Sequence, residues 1–262
     1  MVIILEEKKN NKKKYSVLLL IFIIVFVAVF CTVITVINIY NRHNATPDNE
    51  STVTTVQTTE NALVENPIDF DALQKQNDEI YAWIKIDSTE VDYPIVQNKH
   101  DDNFYLRHKA EDKSWSASGA IYTELANSKD FHDKITVIYG HNGYGKSMFT
   151  TLHYFEKEEF FNNHPYFYIY LPNRRLTYQI ISAFKYDDRH LLNSIDIADA
   201  AQLENFQSTV QSPTSSLKNV RTQLDTQIDL SSKLVVLSTC ITNQKSSRYL
   251  VCGVLVKDEK TN

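Results

Sequence analysis

Three residues stand where a covalent reaction could be run. Cys240 ends the apolar run "KLVVLSTC" (233–240), Arg248 opens the run "RYLVCGVLVK" (248–257), and His141 follows "KITVIY" (134–139) across one glycine. A free cysteine titrates near about 8.5 and a histidine near about 6.5, so the two in contact can form a reactive thiolate–imidazolium pair. A guanidinium beside them can orient a carbonyl and neutralise a developing oxyanion. Strand alternation puts Val236, Ser238 and Cys240 on one face and Val235, Leu237 and Thr239 on the other; Arg248, Leu250 and Cys252 likewise share a face. A terminal cysteine by itself is most often plain packing. An arginine entering the neighbouring strand is harder to explain that way. The other histidines (His43, His100, His108, His132, His153, His164 and His190) read as loop residues.

The stretch around His141 supports a competing reading. Gly140-x-x-x-x-Gly145-Lys146-Ser147 fits the phosphate-loop pattern and follows an apolar run. That reading needs a following helix in α/β layering and an Asp for magnesium on a later strand, and "KLVVLSTC" has none. A further alternative is a catalytically inactive binding or structural domain closed by a Cys240–Cys252 disulfide. Another thiol enzyme is a third reading, but papain-like chains place Cys before His, the reverse of the order here. No Cys-x-x-Cys or His-Glu-x-x-His is present, and neither a metal nor another cofactor is expected.

The elements that must position these residues are short. "AWIKI", "VDYPIVQ", "GAIYTE", "KITVIYG", "YFYIYLP", "LTYQIISAFKY", "KLVVLSTC" and "RYLVCGVLVK" are rich in β-branched and aromatic residues and predict seven or eight strands. Before them, Phe70, Leu73, Asn77, Ile80 and Ile84, with Trp83, recur at helical spacing behind an Asp cap, which predicts an amphipathic helix. "SMFTTLHYFEKEEFFNNHP" predicts one or two helical turns, and "IADAAQLENFQSTVQS" a helix within an insertion between two strands. The fold class is mainly β: a barrel or closed mixed sheet decorated by peripheral helices.

The order "YGHN" (139–142), then "LSTC" (237–240), then Arg248 in "SSRYLV" resembles the sortase family. Class B members match best, through "NDEIYAWIKI", "VDYPIVQ", "NFYL", "GHNGYGKSMF" and the helical insertion, so that the resemblance covers about residues 69–257. It implies an eight-stranded barrel and a membrane-bound cysteine transpeptidase with Cys240 as nucleophile, His141 as proton carrier and Arg248 as oxyanion partner. The implied substrate is the carboxyl-terminal sorting signal of a secreted protein, cut at a Thr–Gly or Thr–Asn bond through a thioacyl intermediate. The implied acceptor is an amine of a cell-wall precursor or of peptidoglycan. Asn103 matches a class B asparagine near the active site. Ser238, Thr239 and Tyr144 are further expected substrate contacts, with Tyr139 and Asn142 at the rim.

Val17 to Ile39 is 23 residues, interrupted only by Cys31, Thr32, Thr35 and Asn38. As a helix it would measure roughly 35 Å, enough for a bilayer core of about 30 Å. Lys8, Lys9, Lys12, Lys13 and Lys14 precede it, and only Arg42 follows closely. The expected topology is therefore a cytoplasmic tail at 1–14, a transmembrane signal anchor at 15–40, an extracellular linker at 41–67 and a catalytic domain at 68–262 with its insertion at 187–231. The run is too long for a cleaved signal peptide. Beyond residue 40 there are 22 Lys plus Arg against 30 Asp plus Glu, a net of −8, so no nucleic-acid footprint is expected.

Overall fold

Alternation along the fifth strand shows how the barrel is made. In "YFYIYL" (Tyr166–Leu171), Phe167 and Ile169 are fully buried in the interior, while Tyr166 and Tyr168 are half-exposed on the outside. The computed structural model describes residues 63–143 and 145–262, and nine strands lie within them. In chain order they are β1 (Ile80–Lys85), β2 (Asp92–Val96), β3 (Ile121–Tyr122), β4 (Ile135–Tyr139), β5 (Tyr166–Leu171), β6 (Arg174–Asp187), β7 (Lys218–Val220), β8 (Leu234–Ile241) and β9 (Gln244–Lys260). The sheet runs β5-β1-β2-β3-β4-β8-β9-β6-β7, and a further β5–β6 pairing closes the first eight into a ring. The eight-stranded barrel is therefore present, with β7 added on the edge of β6. Two neighbouring pairs run parallel, β2 with β3 and β4 with β8.

The wall that carries the expected catalytic residues is buried on both faces. Val235, Leu237, Tyr249 and Val251 face the interior, whereas Leu234, Val236, Leu250, Cys252 and Val254 face a second apolar cluster outside the ring. The helix Ala200–Gln211 covers that outer face with Leu203, Phe206 and Val210. Each such side chain contributes on the order of 1.5–3 kcal/mol by leaving water. Asp199 starts the helix by accepting from the backbone N–H groups of Ala201 and Gln202. Gly253 has no room for a side chain, since a Cβ there would meet Phe167 Cε1 at 2.5 Å.

The first predicted helix is shorter than its spacing suggests. It spans Phe70–Gln76, capped by Asp69, and Ile80, Trp83 and Ile84 belong to β1. Asn77 breaks it by turning extended: its amide is buried and donates to Tyr105 Oη and to the Ala110 carbonyl, both at 2.7 Å. Pairing of β1 with both β2 and β5 then outweighs the helical periodicity. Within the other predicted helical stretch, a 3₁₀ segment (Thr150–Glu156) and a short helix (Glu158–Asn163) follow in succession.

The expected tail at 1–14, the anchor at 15–40 and nearly all of the linker at 41–67 lie outside the described residues. Among the described residues no helix is long and apolar enough to cross a membrane.

Candidate active site

β4 and β8 end at the same rim because they run parallel, Tyr139 lying beside Ser238. Gly140 N donates to Ser238 O at 3.2 Å, and the chain leaves β4 through His141 directly beside the end of β8. Gly140 is required here: a Cβ would meet Ile121 Cδ1 at 2.5 Å and the Phe149 ring at 2.6 Å. Across β8, Cys240 is the direct ladder partner of Arg248 on β9. Cys240 is exposed, and its side chain follows Val236 and Ser238 onto the outer face of the wall.

These three residues line one cleft of about 170 Å³, together with Leu106, Tyr122, Tyr139, Ser238 and the segment from Tyr186 to Leu191. The insertion thus supplies a wall through its first residues, Asp187 to Leu191. His141 Nε2 lies 2.9 Å from the Leu106 carbonyl. A carbonyl only accepts, so Nε2 carries the hydrogen and Nδ1 is the ring nitrogen left for other partners. Leu106 ends the short 3₁₀ turn Phe104–Leu106, and its own N–H bonds back to Asn103 O at 3.1 Å.

The remaining expected contacts divide. Ser238 lines the cleft. Thr239 is buried with a hydroxyl that has no hydrogen-bond partner, on the alternation face of Val235 and Leu237, so its backbone is what the cleft meets. Asn103 is exposed and lies outside the cleft lining, at the start of the turn that orients His141. Tyr144 lies outside the described residues. Asn142 holds the end of β8, donating from Nδ2 to the Cys240 carbonyl and to Thr242 Oγ1, both at 3.1 Å.

Tyr139 is at the rim as expected, and two features of the cleft have no signal in the sequence, its partner Tyr122 and the pair Glu124–His190. Tyr122 and Tyr139 stack at 5.4 Å and give the cleft an aromatic flank, and burial pushes both phenols well above the ordinary tyrosine range. His190, against Tyr139, is bonded to Glu124 at 2.8 Å. Burial raises the Glu124 carboxyl above the usual range, and the contact with His190 works against that rise. Residues 124 and 190 are 66 apart and share no local pattern, so only the tertiary fold reveals the pair.

Two competing readings fail on this geometry. Both Cys240 and Cys252 are free thiols. Cys252 faces Val236, four positions along the ladder from Cys240, an offset of about 13 Å where a disulfide needs Cα atoms within about 7 Å. The loop after Gly140 runs into the 3₁₀ segment at Thr150 and not into an α-helix, so no helix N-terminus is aimed at a bound phosphate.

Comparison with known proteins agrees with the site. A family model of the sortase domain matches residues 84–256. Sortase B of Listeria monocytogenes is 28% identical over 220 residues, covering 82% of this chain and 86% of that protein. The crystal structure of Clostridium perfringens sortase B superposes with a TM-score of 0.64 at 27% identity, covering 72% of this chain and 100% of that one. A Streptococcus pyogenes class B sortase involved in pilus biogenesis gives a TM-score of 0.61 at 29% identity, covering 72% of this chain and 98% of that one. The barrel, the shared rim of β4 and β8, and a family match spanning well over half of the sequence lead to one conclusion: this chain belongs to the sortase family of cysteine transpeptidases, in its class B.

Proposed function

We propose that the chain is a membrane-anchored transpeptidase that cuts the carboxyl-terminal sorting signal of secreted proteins and joins them to a cell-wall amine. The observation that carries this reading is the single cleft lined by His141, Cys240 and Arg248, which arrive from three different parts of the ring. The Cys240 thiolate attacks the carbonyl of a Thr–Gly or Thr–Asn peptide bond. Arg248 steadies the tetrahedral oxygen, and His141 delivers a proton to the leaving amine as the C–N bond breaks. The acyl group stays on sulfur as a thioester. An incoming amine, from a wall precursor or peptidoglycan, gives its proton to His141 and attacks; the amide forms and the thiolate leaves. Water in place of the amine gives slow hydrolysis. The amide-bond energy is conserved in the thioester, so no nucleoside triphosphate is consumed.

The aromatic flank of Tyr122 and Tyr139 suits an apolar or proline-bearing signal. Residues 1–14 lie in the cytoplasm, 15–40 span the membrane, and the barrel works outside. The test is a peptide library of sorting-type sequences, with mass spectrometry of Cys240 and added amines. A thioester on Cys240, discharged faster by an amine, is expected. Cleavage with Cys240 unmodified throughout would overturn the assignment. Protease added to intact protoplasts should remove the barrel and spare the amino terminus; a protected barrel would reverse the topology.

A further inference from the structure

The Cys240 carbonyl is held by side chains where a strand has run out. On its β4 side, β8 is last answered by backbone at Ser238, whose carbonyl accepts from Gly140 N at 3.2 Å. β4 itself ends at Tyr139. Carbonyls two residues apart on a strand point the same way, so Cys240 O faces the side that β4 has vacated. Asn142 Nδ2 reaches it at 3.1 Å and His153 Nε2 at 3.0 Å.

His153 is not a free loop histidine. Its Nδ1 lies 2.6 Å from Glu156 Oε1, one turn further along the same 3₁₀ segment. Its ring stacks on Tyr249 at 5.0 Å and 24°, and Tyr249, fully buried in the barrel core, is the ladder partner of Thr239. The Glu156 carboxylate only accepts, so Nδ1 meets it with an N–H, while Nε2 faces both the Cys240 carbonyl and, at 3.2 Å, Asn142 Nδ2. The side chain is thereby fixed on three sides, and only 18% of it is exposed. None of these contacts belongs to the β4–β8 or β8–β9 backbone ladders.

We propose that His153, braced by Glu156, is a positioning residue for the nucleophile. Together with Asn142 it takes the place of the missing rung of the β4–β8 ladder, fixes the peptide that follows Cys240, and so aims Sγ into the cleft between His141 and Arg248. The role rests on Cys240 being the nucleophile of the proposed transpeptidation. It acts through the backbone of Cys240 and not by contact with substrate.

The test compares His153→Ala, His153→Gln and Glu156→Gln in the full chain. The measurements are kcat and KM on a cleaved sorting-type peptide, the iodoacetamide alkylation rate of Cys240 resolved by peptide mass spectrometry, and the melting temperature. H153A is expected to lower kcat about tenfold with KM within about twofold, because misplacing a reacting atom costs turnover before binding. Alkylation of Cys240 should change in step with kcat. H153Q, whose amide N–H can reach the same carbonyl, should recover most of the rate, and E156Q should fall between. Unchanged kcat and alkylation in H153A would overturn the proposal. So would a loss that tracks the melting temperature and that H153Q does not recover. If no peptide is turned over even by the wild-type chain, the transpeptidase reading fails, and the alkylation rates still decide the part played by His153.

Discussion

At one end of the β8–β9 pair, Leu234, Val235 and Val236 face Val254, Gly253 and Cys252, all buried. At the other end, Ser238, Thr239 and Cys240 face Leu250, Tyr249 and Arg248, and Cys240 is exposed. The two cysteines lie on the same face of adjacent strands. Burial pushes the Cys252 thiol far above the ordinary range, so it stays protonated and inert. Cys240 stands where β4 has ended and the wall opens. What separates an exposed cysteine from a packed one here is its place along the ladder and not its neighbours in sequence.

The sharpest way to test that contrast is to remove each thiol. C240A should abolish thioester formation and turnover, with stability changed by no more than about 0.5 kcal/mol because the side chain is exposed. C252A should keep most turnover and lose about 1 kcal/mol to a small cavity, read by denaturant titration. Equal loss of activity in both would break the comparison. Next come the partners at the open end. H141A should lose about 10²–10⁴-fold in kcat/KM, and R248A about 10²–10³-fold. K146A, on an exposed turn that has no chemical task in this mechanism, should stay within about twofold.

The closed end responds in the other currency, stability. G253A forces a Cβ against Phe167 and should cost about 1–3 kcal/mol, while activity per folded molecule is preserved. The mildest test needs no mutation. Iodoacetamide on the native chain should label Cys240 and leave Cys252 unmodified until denaturant is added; early labelling of Cys252 would show that this end of the ladder opens.

Much of this was legible in the sequence, for identifiable reasons. The eight ring strands announce themselves because a β-branched or aromatic run needs no partner to be recognised. Cys240, His141 and Arg248 stand out as candidates because each sits at the end of such a run, and the fold brings the three to one cleft. β7 was not found, since "KNV" carries no apolar pattern and is a strand only because Phe184, Ala183 and Ser182 lie beside it. The spacing makes the first helix too long because Ile80 and Ile84 fit both periods, and the tertiary hydrogen bonds of Asn77 decide between them. The parallel pairing of β4 with β8 left no local trace either. His153 and the Glu124–His190 pair depend on contacts 66 to 87 residues apart, which no spacing rule encodes.

That parallel pairing also sets a clock. A strand and its parallel neighbour cannot be joined by a tight turn, and about a hundred residues lie between His141 and Cys240. The chain must build β5, β6 and the whole insertion before β8 exists to slot in beside β4. Entropy is spent on that long loop before any contact repays it, so ring closure is slow compared with the formation of hairpins such as β5–β6. A polypeptide still emerging, or cut short before residue 240, carries the histidine but has no sulfur for it to serve. The proposed nucleophile is therefore among the last parts of the barrel to be laid down, and the cleft it lines is complete only once the wall behind it has closed.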